Sequence, residues 1–374
     1  MQSNAPDNGT KVLAISIVIA LLGVGAGAYF AVTSGRTTTQ TVVSNTATST
    51  VTLTTITTTA FTISGGQGQP KVSTINVGGA PQGFAFNPTN NKVYVALENS
   101  SSVAVINGTT NTLLTMISLP KGSEPIALAY DSSNNMVYVA SNNASAIFVI
   151  NSADDALGSP IAVSHATDDI AVDSTTNVLC AVSVADYVYF VNTSTNSVIT
   201  LQSDTGWMDN AHAVAIDTLK NGVFVGAYFG KGRAVAGLHF VNGSSPYSLI
   251  RTLNITGGQI DSVGINPNTG TLYVAAFKAN SVNAVSESGK LIANITIPSP
   301  YGVAVDPQSN LVYAVSSGSN TLYVISGSTY SLLGTVTVGN GPVRIGINTN
   351  TNRIYVSNQL DGTISVIDGT SLLF

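Results

Sequence analysis

Residues Gly83–Leu119 read GFAFNPTNNKVYVALENSSSVAVINGTTNTLLTMISL. In this stretch, apolar and polar residues alternate over short runs, and each run ends at a turn rich in Asn, Gly, Ser or Thr. Such alternation is typical of β-strands, because helices need longer segments in which apolar residues recur with a period of 3.6. The stretch therefore predicts four short strands joined by tight turns.

The same pattern repeats to the end of the chain. Its most regular position is the first residue of a Tyr-Val pair, where Cys and Phe replace Tyr in two repeats. This position recurs in steps of 44, 42, 44, 49, 40 and 42 residues, at Tyr94, Tyr138, Cys180, Phe224, Tyr273, Tyr313 and Tyr355. Four strands in a period of about 40–45 residues are typical of a β-propeller blade. The sequence thus predicts an all-β fold, a seven-bladed β-propeller with four-stranded blades over residues 70–374.

The two ends of the propeller sequence complement each other. The seventh repeat stops at Phe374, before a fourth strand, whereas Lys71–Val77 (KVSTINV) precedes the first repeat and has fourth-strand character. We therefore expect the N-terminal strand to complete the last blade and to cover its open sheet edge. The single cysteine, Cys180, cannot form an intrachain disulfide, so packing and hydrogen bonds must close the ring.

Two of the repeats are similar to a known repeat sequence. Residues 352–358 (NRIYVSN) with 363–368 (TISVID), and residues 91–96 (NKVYVA) with 103–107 (VAVIN), resemble the YVTN-type β-propeller repeat. That family is frequent in archaeal and bacterial surface-layer-like proteins, and the resemblance covers residues 71–374. It implies the propeller fold, but it transfers no set of catalytic residues.

The sequence before the propeller predicts a membrane anchor and a stalk. Residues 12–32 are 21 uncharged residues, enough for a signal-anchor helix across the roughly 30 Å core of a bilayer, with residues 1–11 as a cytoplasmic tail. A cleaved signal peptide, cut at Ala26-Gly27-Ala28, is the alternative. Residues 33–69 predict a Thr/Ser-rich stalk and a Gly-rich joint, with a strand through Val51, Leu53 and Ile56 as the alternative.

Charged residues are scarce in this chain. Lys and Arg number 13, Asp and Glu number 18, and together they make 8% of the residues, against roughly 25% in an average soluble protein. Because no basic run could neutralise several phosphates, nucleic acid is not an expected partner. Few carboxylates also mean that the surface charge changes little in acid, which makes an acidic external habitat a hypothesis.

Seven Asn-x-Ser/Thr sequons lie in the propeller sequence, at Asn99, Asn107, Asn143, Asn192, Asn242, Asn254 and Asn294. They predict an extracellular glycoprotein. The alternative is chance, because a chain rich in Asn, Ser and Thr produces sequons without selection for them.

A candidate binding site emerges when the repeats are aligned on their Asn-Pro or Asp-Pro turn. The position where each innermost strand begins, which should surround the tunnel mouth, is occupied by Gln82, Ile126, Asp168, His212, Asp261, Tyr301 and Val343. The next position is occupied by Gly83, Ala127, Asp169, Ala213, Ser262, Gly302 and Arg344. Three consecutive blades thus contribute Asp168, Asp169, His212 and Asp261, which predict either a ligand site or an ordinary polar tunnel lining.

Two longer loops in the same sector add Trp207, Tyr228 and Arg233 to the predicted ligand-binding residues. Aromatic rings there could stack on a sugar, and the guanidinium could bind an anionic substituent. Asp168 and Asp261 are the predicted metal ligands. Carboxylates with loop carbonyls suit Ca²⁺, whereas one His with scattered Asp is a poor match to a closed zinc site.

The sequence therefore favours a single-pass membrane protein with an extracellular propeller, acting in adhesion or in the cell envelope, with envelope proteins or glycans as partners. It predicts no required cofactor, and it contains no HExxH, GxSxG or P-loop motif. One alternative is an extracellular enzyme that resembles the metal-assisted lyases and lactonases built on propellers. Another is an accessory subunit of a membrane complex.

Overall fold

The computed structural model describes residues 37–44, 47–54, 70–202, 210–228, 235–256 and 259–372. Residues 70–373 form one compact unit, separate from residues 1–69. In the range predicted as stalk, strand β1 (Thr37–Ser44) pairs antiparallel with β2 (Ala47–Thr54), which contains Val51 and Leu53. The predicted anchor at residues 12–32 lies outside the described residues. Within these ranges, no helix is long and apolar enough to cross a bilayer.

The second unit is a seven-bladed β-propeller, as predicted. Strand β3 (Val72–Asn76) precedes seven antiparallel sheets, which we call blades 1 to 7. Blade 1 comprises β4 (Pro81–Asn87), β5 (Lys92–Leu97), β6 (Ser102–Asn107) and β7 (Thr112–Ser118); blade 2 comprises β8 (Pro125–Asp131), β9 (Met136–Ser141), β10 (Ala146–Asn151), β11 (Ala156–Leu157) and β12 (Ile161–Ala162). Blade 3 comprises β13 (Asp169–Asp173), β14 (Val178–Ser183), β15 (Tyr187–Asn192) and β16 (Ser197–Gln202); blade 4 comprises β17 (Ala211–Asp217), β18 (Gly222–Tyr228), β19 (Val235–Asn242) and β20 (Leu249–Thr256). Blade 5 comprises β21 (Ile260–Asn266), β22 (Thr271–Ala276), β23 (Ser281–Ser286) and β24 (Leu291–Thr296); blade 6 comprises β25 (Pro300–Asp306), β26 (Leu311–Ser316), β27 (Thr321–Ser326) and β28 (Leu332–Thr337). Blade 7 comprises β29 (Pro342–Asn348), β30 (Arg353–Asn358), β31 (Thr363–Asp368) and the returning β3; short 3-10 turns lie at Glu98–Ser100, Phe277–Ala279 and Gly369–Ser371.

Blade 2 departs from the predicted four strands. Its outer strand is split into β11 and β12, which pair with opposite ends of β10. The sequence between them is Gly158-Ser159-Pro160. Proline has no N–H to donate to the ladder, so this segment interrupts the outer strand.

The N-terminal strand closes the ring, as predicted. Strand β3 pairs with β31 from Val72 opposite Ile367 to Asn76 opposite Thr363. Beyond it, the N–H groups of Val77 and Gly78 donate to the carbonyl of Gly362 at 3.1 and 2.8 Å. The innermost strands contact one another in order around the tunnel, and β29 contacts β4.

The core lies between the blades. Each apolar cluster joins side chains of two adjacent blades, and the cluster at the seam of blades 7 and 1 contains Ile75, Val77, Val95 and Tyr355. The repeated Tyr-Val position is buried in every blade, with Cys180 and Tyr94 both at 0% exposure. The Tyr94 hydroxyl also donates a hydrogen bond to Asp155 Oδ1 of blade 2 at 2.7 Å, so this side chain links blade 1 to blade 2.

The Asn-rich turns have a uniform geometry. Each inner strand ends at an Asn or Asp whose side-chain oxygen accepts a hydrogen bond, at 2.8–3.1 Å, from the backbone N–H two residues later. These residues are Asn87, Asp131, Asp173, Asp217, Asn266, Asp306 and Asn348. Four positions after it, the chain adopts the left-handed conformation, at Asn91, Asn135, Asn177, Asn221, Gly270, Asn310 and Asn352. Asn and Gly tolerate that conformation best, which explains the Asn-rich sequence.

Candidate functional site

The tunnel mouth is formed where the inner strands begin. In six blades the register of the inner strand shifts within its first few residues. His212, Asp261 and Tyr301 each occupy the unpaired position of this bulge. A bulge turns a side chain away from the regular sheet pattern, so the aligned position does bring polar side chains to one end of the tunnel.

Asp168 and His212 join blades 3 and 4 at the mouth. His212 Nδ1 lies 2.9 Å from Asp168 Oδ2, and the two side chains are 27% and 11% exposed. Burial lowers the pKa of His212, but the hydrogen bond and charge of Asp168 outweigh it and raise the pKa above the usual value. This pair is therefore a carboxylate that orients an imidazole and favours its protonation.

Asp169 has a different role from its neighbour. Its Oδ2 accepts the N–H of Val214 from blade 4 at 2.9 Å, and its Oδ1 accepts the N–H of Ile170 at 3.0 Å. Ser262 likewise accepts the N–H of Val303 from blade 6 at 3.2 Å. Each side chain thus accepts a backbone N–H at the unpaired edge of the inner strand in the next blade. Burial, partly offset by Arg344, raises the pKa of Asp169 to about 6.

Asp261 lies on blade 5 beside the His212 pair and is 4% exposed. Its Oδ1 accepts from Gln259 Nε2 at 2.6 Å, while Oδ2 is buried and has no hydrogen-bond partner in the described part of the chain. Burial raises the pKa of this carboxyl, and the charges of His212 and Arg344 oppose the rise. Asp261 therefore has one buried oxygen at the mouth that no described residue satisfies.

Arg344 supplies the positive charge below the mouth. Its Nη1 donates to the carbonyl oxygen of Asp261 at 2.8 Å, and its guanidinium lies 5.9 Å from the ring centroid of Tyr301. Burial lowers the pKa of Arg344, but the nearby carboxylates, Asp169 foremost, raise it above its usual value. The guanidinium and Asp169 line a tunnel cavity of about 150 Å³ to which all seven blades contribute.

Aromatic side chains flank this cluster on blades 4 to 6. Tyr301 packs edge-on against Phe277 at 6.2 Å, and burial raises the pKa of its hydroxyl. Tyr228, at the end of β18, is half-buried and has Lys278 Nζ 4.9 Å from its ring centroid. Trp207 and Arg233, the other two predicted ligand-binding residues, lie outside the described residues.

Blade 1 contributes a fourth acidic side chain, Glu98, on the same face. Gln82 Nε2 donates to Glu98 Oε2 at 2.5 Å, and Gln359 Nε2 donates to the same oxygen at 3.1 Å. The charge of Glu98 also contributes to the raised pKa of Tyr301. The mouth therefore combines carboxylates, amides, an imidazole and a guanidinium.

The structure brings Asp168, Asp169, His212 and Asp261 to one end of the tunnel, where Asp168 and His212 pair with each other while Asp169 and Asp261 have other partners. No three His, Cys, Asp or Glu side chains converge as metal ligands within the described ranges. The calcium site at Asp168 and Asp261 stays a prediction. Arg344 and Tyr301 were in the same aligned positions but outside the predicted site, because the alignment alone gives no sign of which side chains interact across a tunnel.

Three of the predicted glycosylation sequons also have a structural explanation. Asn107, Asn192 and Asn242 each end the third strand of a blade, and each Oδ1 accepts the N–H of the sequon's own Thr or Ser at 2.8–3.1 Å. Asn99 and Asn254 are exposed, and their side chains form no hydrogen bond to any described residue. The turn geometry thus accounts for the first three sequons but not for these two.

No family model and no curated protein matches this chain. Among solved structures, hydrazine synthase of Kuenenia stuttgartiensis is similar, with a TM-score of 0.69 and 13% identity over 78% of this chain and 96% of that one. A streptogramin B lyase is also similar, with a TM-score of 0.65 and 10% identity over 79% and 97% of the two chains. At such identities the likeness shows the propeller fold alone.

Proposed function

We propose that this chain is a non-catalytic interaction protein of the cell surface that binds a saccharide at its tunnel mouth. The observation behind the proposal is the convergence of Asp168, His212, Asp261 and Tyr301 from four consecutive blades. Saccharides present hydroxyl donors and acceptors together with apolar C–H faces. A site that combines carboxylates, an imidazole and half-buried tyrosine rings matches that chemistry.

The binding proposal predicts a loss of affinity when the two buried carboxylates are neutralised. In the full chain, Asp168→Asn/Asp261→Asn should weaken a saccharide found in a calorimetric glycan screen at least tenfold, about 1.4 kcal/mol, because charge-assisted hydrogen bonds are lost. The matched control Asp154→Asn/Asp368→Asn removes two carboxylates at the end of the blades opposite the mouth and should bind as wild type does. Titration with Ca²⁺ in parallel tests the calcium prediction. Equal affinities for all three proteins would contradict the proposal.

A second candidate function is acid–base catalysis, and the Asp168–His212 contact favours it. A carboxylate that accepts a hydrogen bond from Nδ1 leaves Nε2 as the basic nitrogen, which is the arrangement of a general base. The streptogramin B lyase that shares the fold makes streptogramin B the first substrate to test. Product formed by wild type and absent with His212→Gln would replace the non-catalytic proposal.

The surface location rests on the sequence of residues 12–69 and on Asn99 and Asn254, two exposed sequons whose side chains form no hydrogen bond to any described residue. We expect native protein to remain with membranes through a carbonate wash and to have glycans on Asn99 and Asn254, because both side chains are exposed. Peptide mass spectrometry measures occupancy, and Asn107, Asn192 and Asn242 are the internal comparison. A protein released by the wash, unmodified at Asn99 and Asn254, would contradict this part of the proposal.

A further inference from the structure

One seam of the ring differs from the other six at the end of the blades opposite the mouth. In every blade, the N–H after the third strand donates to the carbonyl of the left-handed turn residue, at 2.7–3.2 Å. This bond identifies seven equivalent positions: Gly108, Ser152, Thr193, Gly243, Glu287, Gly327 and Gly369. Only Glu287 is ionisable. Blade 5 therefore places a carboxyl where the others place glycine or a hydroxyl.

The position faces the Asn or Asp that ends the inner strand of the preceding blade. At the first seam, Asn87 Nδ2 donates to Ser152 Oγ at 2.6 Å. At the seam of blades 4 and 5, the corresponding residues are Asp217 and Glu287. Two carboxyl groups thus meet where the first seam has an amide and a hydroxyl.

Blade 5 has a second change that makes room for this pair. Its left-handed turn residue is Gly270, whereas the other six blades have Asn there. A Cβ at Gly270 would lie 2.9 Å from Lys220 Nζ and 3.1 Å from Glu287 Cδ. Lys220 Nζ forms an ion pair with Glu287 Oε2 in the same space. Gly270, Lys220 and Glu287 therefore form one local arrangement.

Each carboxyl of the pair has one oxygen without a conventional donor. Asp217 is fully buried, and its Oδ1 accepts the N–H of Leu219 and of Lys220 at 2.8 and 3.2 Å. Asp217 Oδ2 and Glu287 Oε1 are buried, and neither has a hydrogen-bond donor among the described residues. The two side chains are within hydrogen-bonding reach of each other. If both were ionised, they would repel without compensation at these two oxygens.

We propose that Glu287 and Asp217 share one proton, with Glu287 Oε1–H donating to Asp217 Oδ2, and that this bond fastens blade 4 to blade 5. One proton satisfies both buried oxygens. A divalent cation fits less well, because it needs six or more oxygen ligands and neither oxygen is accessible to water that could complete the shell. The other charged groups here are Lys220, on Glu287 Oε2; Arg251, whose Nη1 donates to Ser288 O; and Lys290 in the same turn.

The shared proton makes the seam pH-dependent. Burial raises the pKa of Glu287 above its usual value, Asp217 adds to the rise, and Lys220 opposes it. A carboxyl whose pKa is higher in the folded state contributes stability that is complete below its unfolded pKa, about 4.3. That contribution is lost as the pH rises through the folded pKa. The seam is therefore tightest in acid.

The test compares melting temperatures of the full-length wild type and Glu287→Gln from pH 4 to pH 9. The Gln amide keeps a donor toward Asp217 at every pH, so the two proteins should melt alike at pH 4. At pH 8 the variant should melt higher by about 2–4 °C or more. The control is Glu124→Gln, a half-buried glutamate whose side chain has no hydrogen bond to any described residue, and it should follow wild type. A difference that does not change with pH would overturn the proposal.

A second measurement needs no variant. The chain has only three glutamates, Glu98, Glu124 and Glu287. In protein labelled with ¹³C-glutamate, the infrared C=O band of a protonated glutamic acid should persist at pH 7. Absence of that band would overturn the proposal. A rise in melting temperature with millimolar Ca²⁺ in wild type, but not in Glu287→Gln, would overturn it in favour of a cation site.

Discussion

A chain that lacks residues 71–77 is expected to lose most of its free energy of unfolding. Strand β3 forms the fourth strand of blade 7 through five residue pairs with β31. Each lost backbone hydrogen bond costs about 0.5–1.5 kcal/mol. Exposure of the buried Ile75 and Val77 adds roughly 1.5–3 kcal/mol for each side chain. This sum is comparable to a typical total stability of 5–15 kcal/mol.

Denaturant unfolding of the deletion variant, followed by circular dichroism, measures the effect. A variant that lacks residues 62–68 instead removes the same number of residues upstream of the propeller, and it should unfold as wild type does. A second comparison, Ile75→Asp, keeps the strand and puts an unpaired charge in the cluster at the seam of blades 7 and 1. If the deletion variant unfolded with the same midpoint as wild type, the ring would not depend on this strand.

Most of the fold could be predicted from the sequence because each blade repeats the same local chemistry. The Asn or Asp that ends the inner strand and the left-handed Asn four positions later define a turn that the chain can form from short-range contacts. Cys180, which breaks the Tyr-Val pattern, still occupies the buried position of its blade. The split outer strand of blade 2 could not be predicted from the repeat, because Pro160 is specific to that blade.

Some of the residues at the tunnel mouth could be predicted from the sequence, but the contacts between them could not. The alignment identified the strand starts; a bulge places His212 and Asp261 at one end of the tunnel, and Asp168, just before β13, meets His212 there. Adjacent residues 168 and 169 nevertheless have different partners, since one bonds an imidazole and the other a strand edge. Arg344 acts on both from blade 7. The repeat period predicts where each side chain leaves the backbone. It does not predict which partner a long side chain reaches, because that depends on distances in the folded structure.

The second large effect is expected for Arg344→Met, which should lower the free energy of unfolding by about 3 kcal/mol at neutral pH, because removing one partner of a buried charge cluster leaves the others uncompensated. This value is at the low end of the roughly 3–5 kcal/mol that removing one partner of a buried ion pair costs, because Arg344 forms no ion pair within 4 Å in the described part of the chain. Methionine keeps most of the side-chain volume, so the loss reports charge and the hydrogen bond to the carbonyl of Asp261.

The dependence on pH separates the charge from the packing in this variant. Asp169, with a pKa of about 6, is held partly ionised by Arg344, so the pKa should rise further once the guanidinium is gone. A further rise in the folded pKa of Asp169 costs stability only above the wild-type pKa of about 6, so the deficit of Arg344→Met should be small near pH 4 and should grow as the pH rises above 6. Adding Asp169→Asn should recover part of the loss at pH 7, and Asp173→Asn, a carboxyl at the far end of the same strand, should not. Chemical unfolding of the four proteins at the two pH values measures this. A deficit of equal size at pH 4 and pH 7, with no recovery in the double variant, would mean that Arg344 stabilises the tunnel by packing and not by compensating the carboxylates.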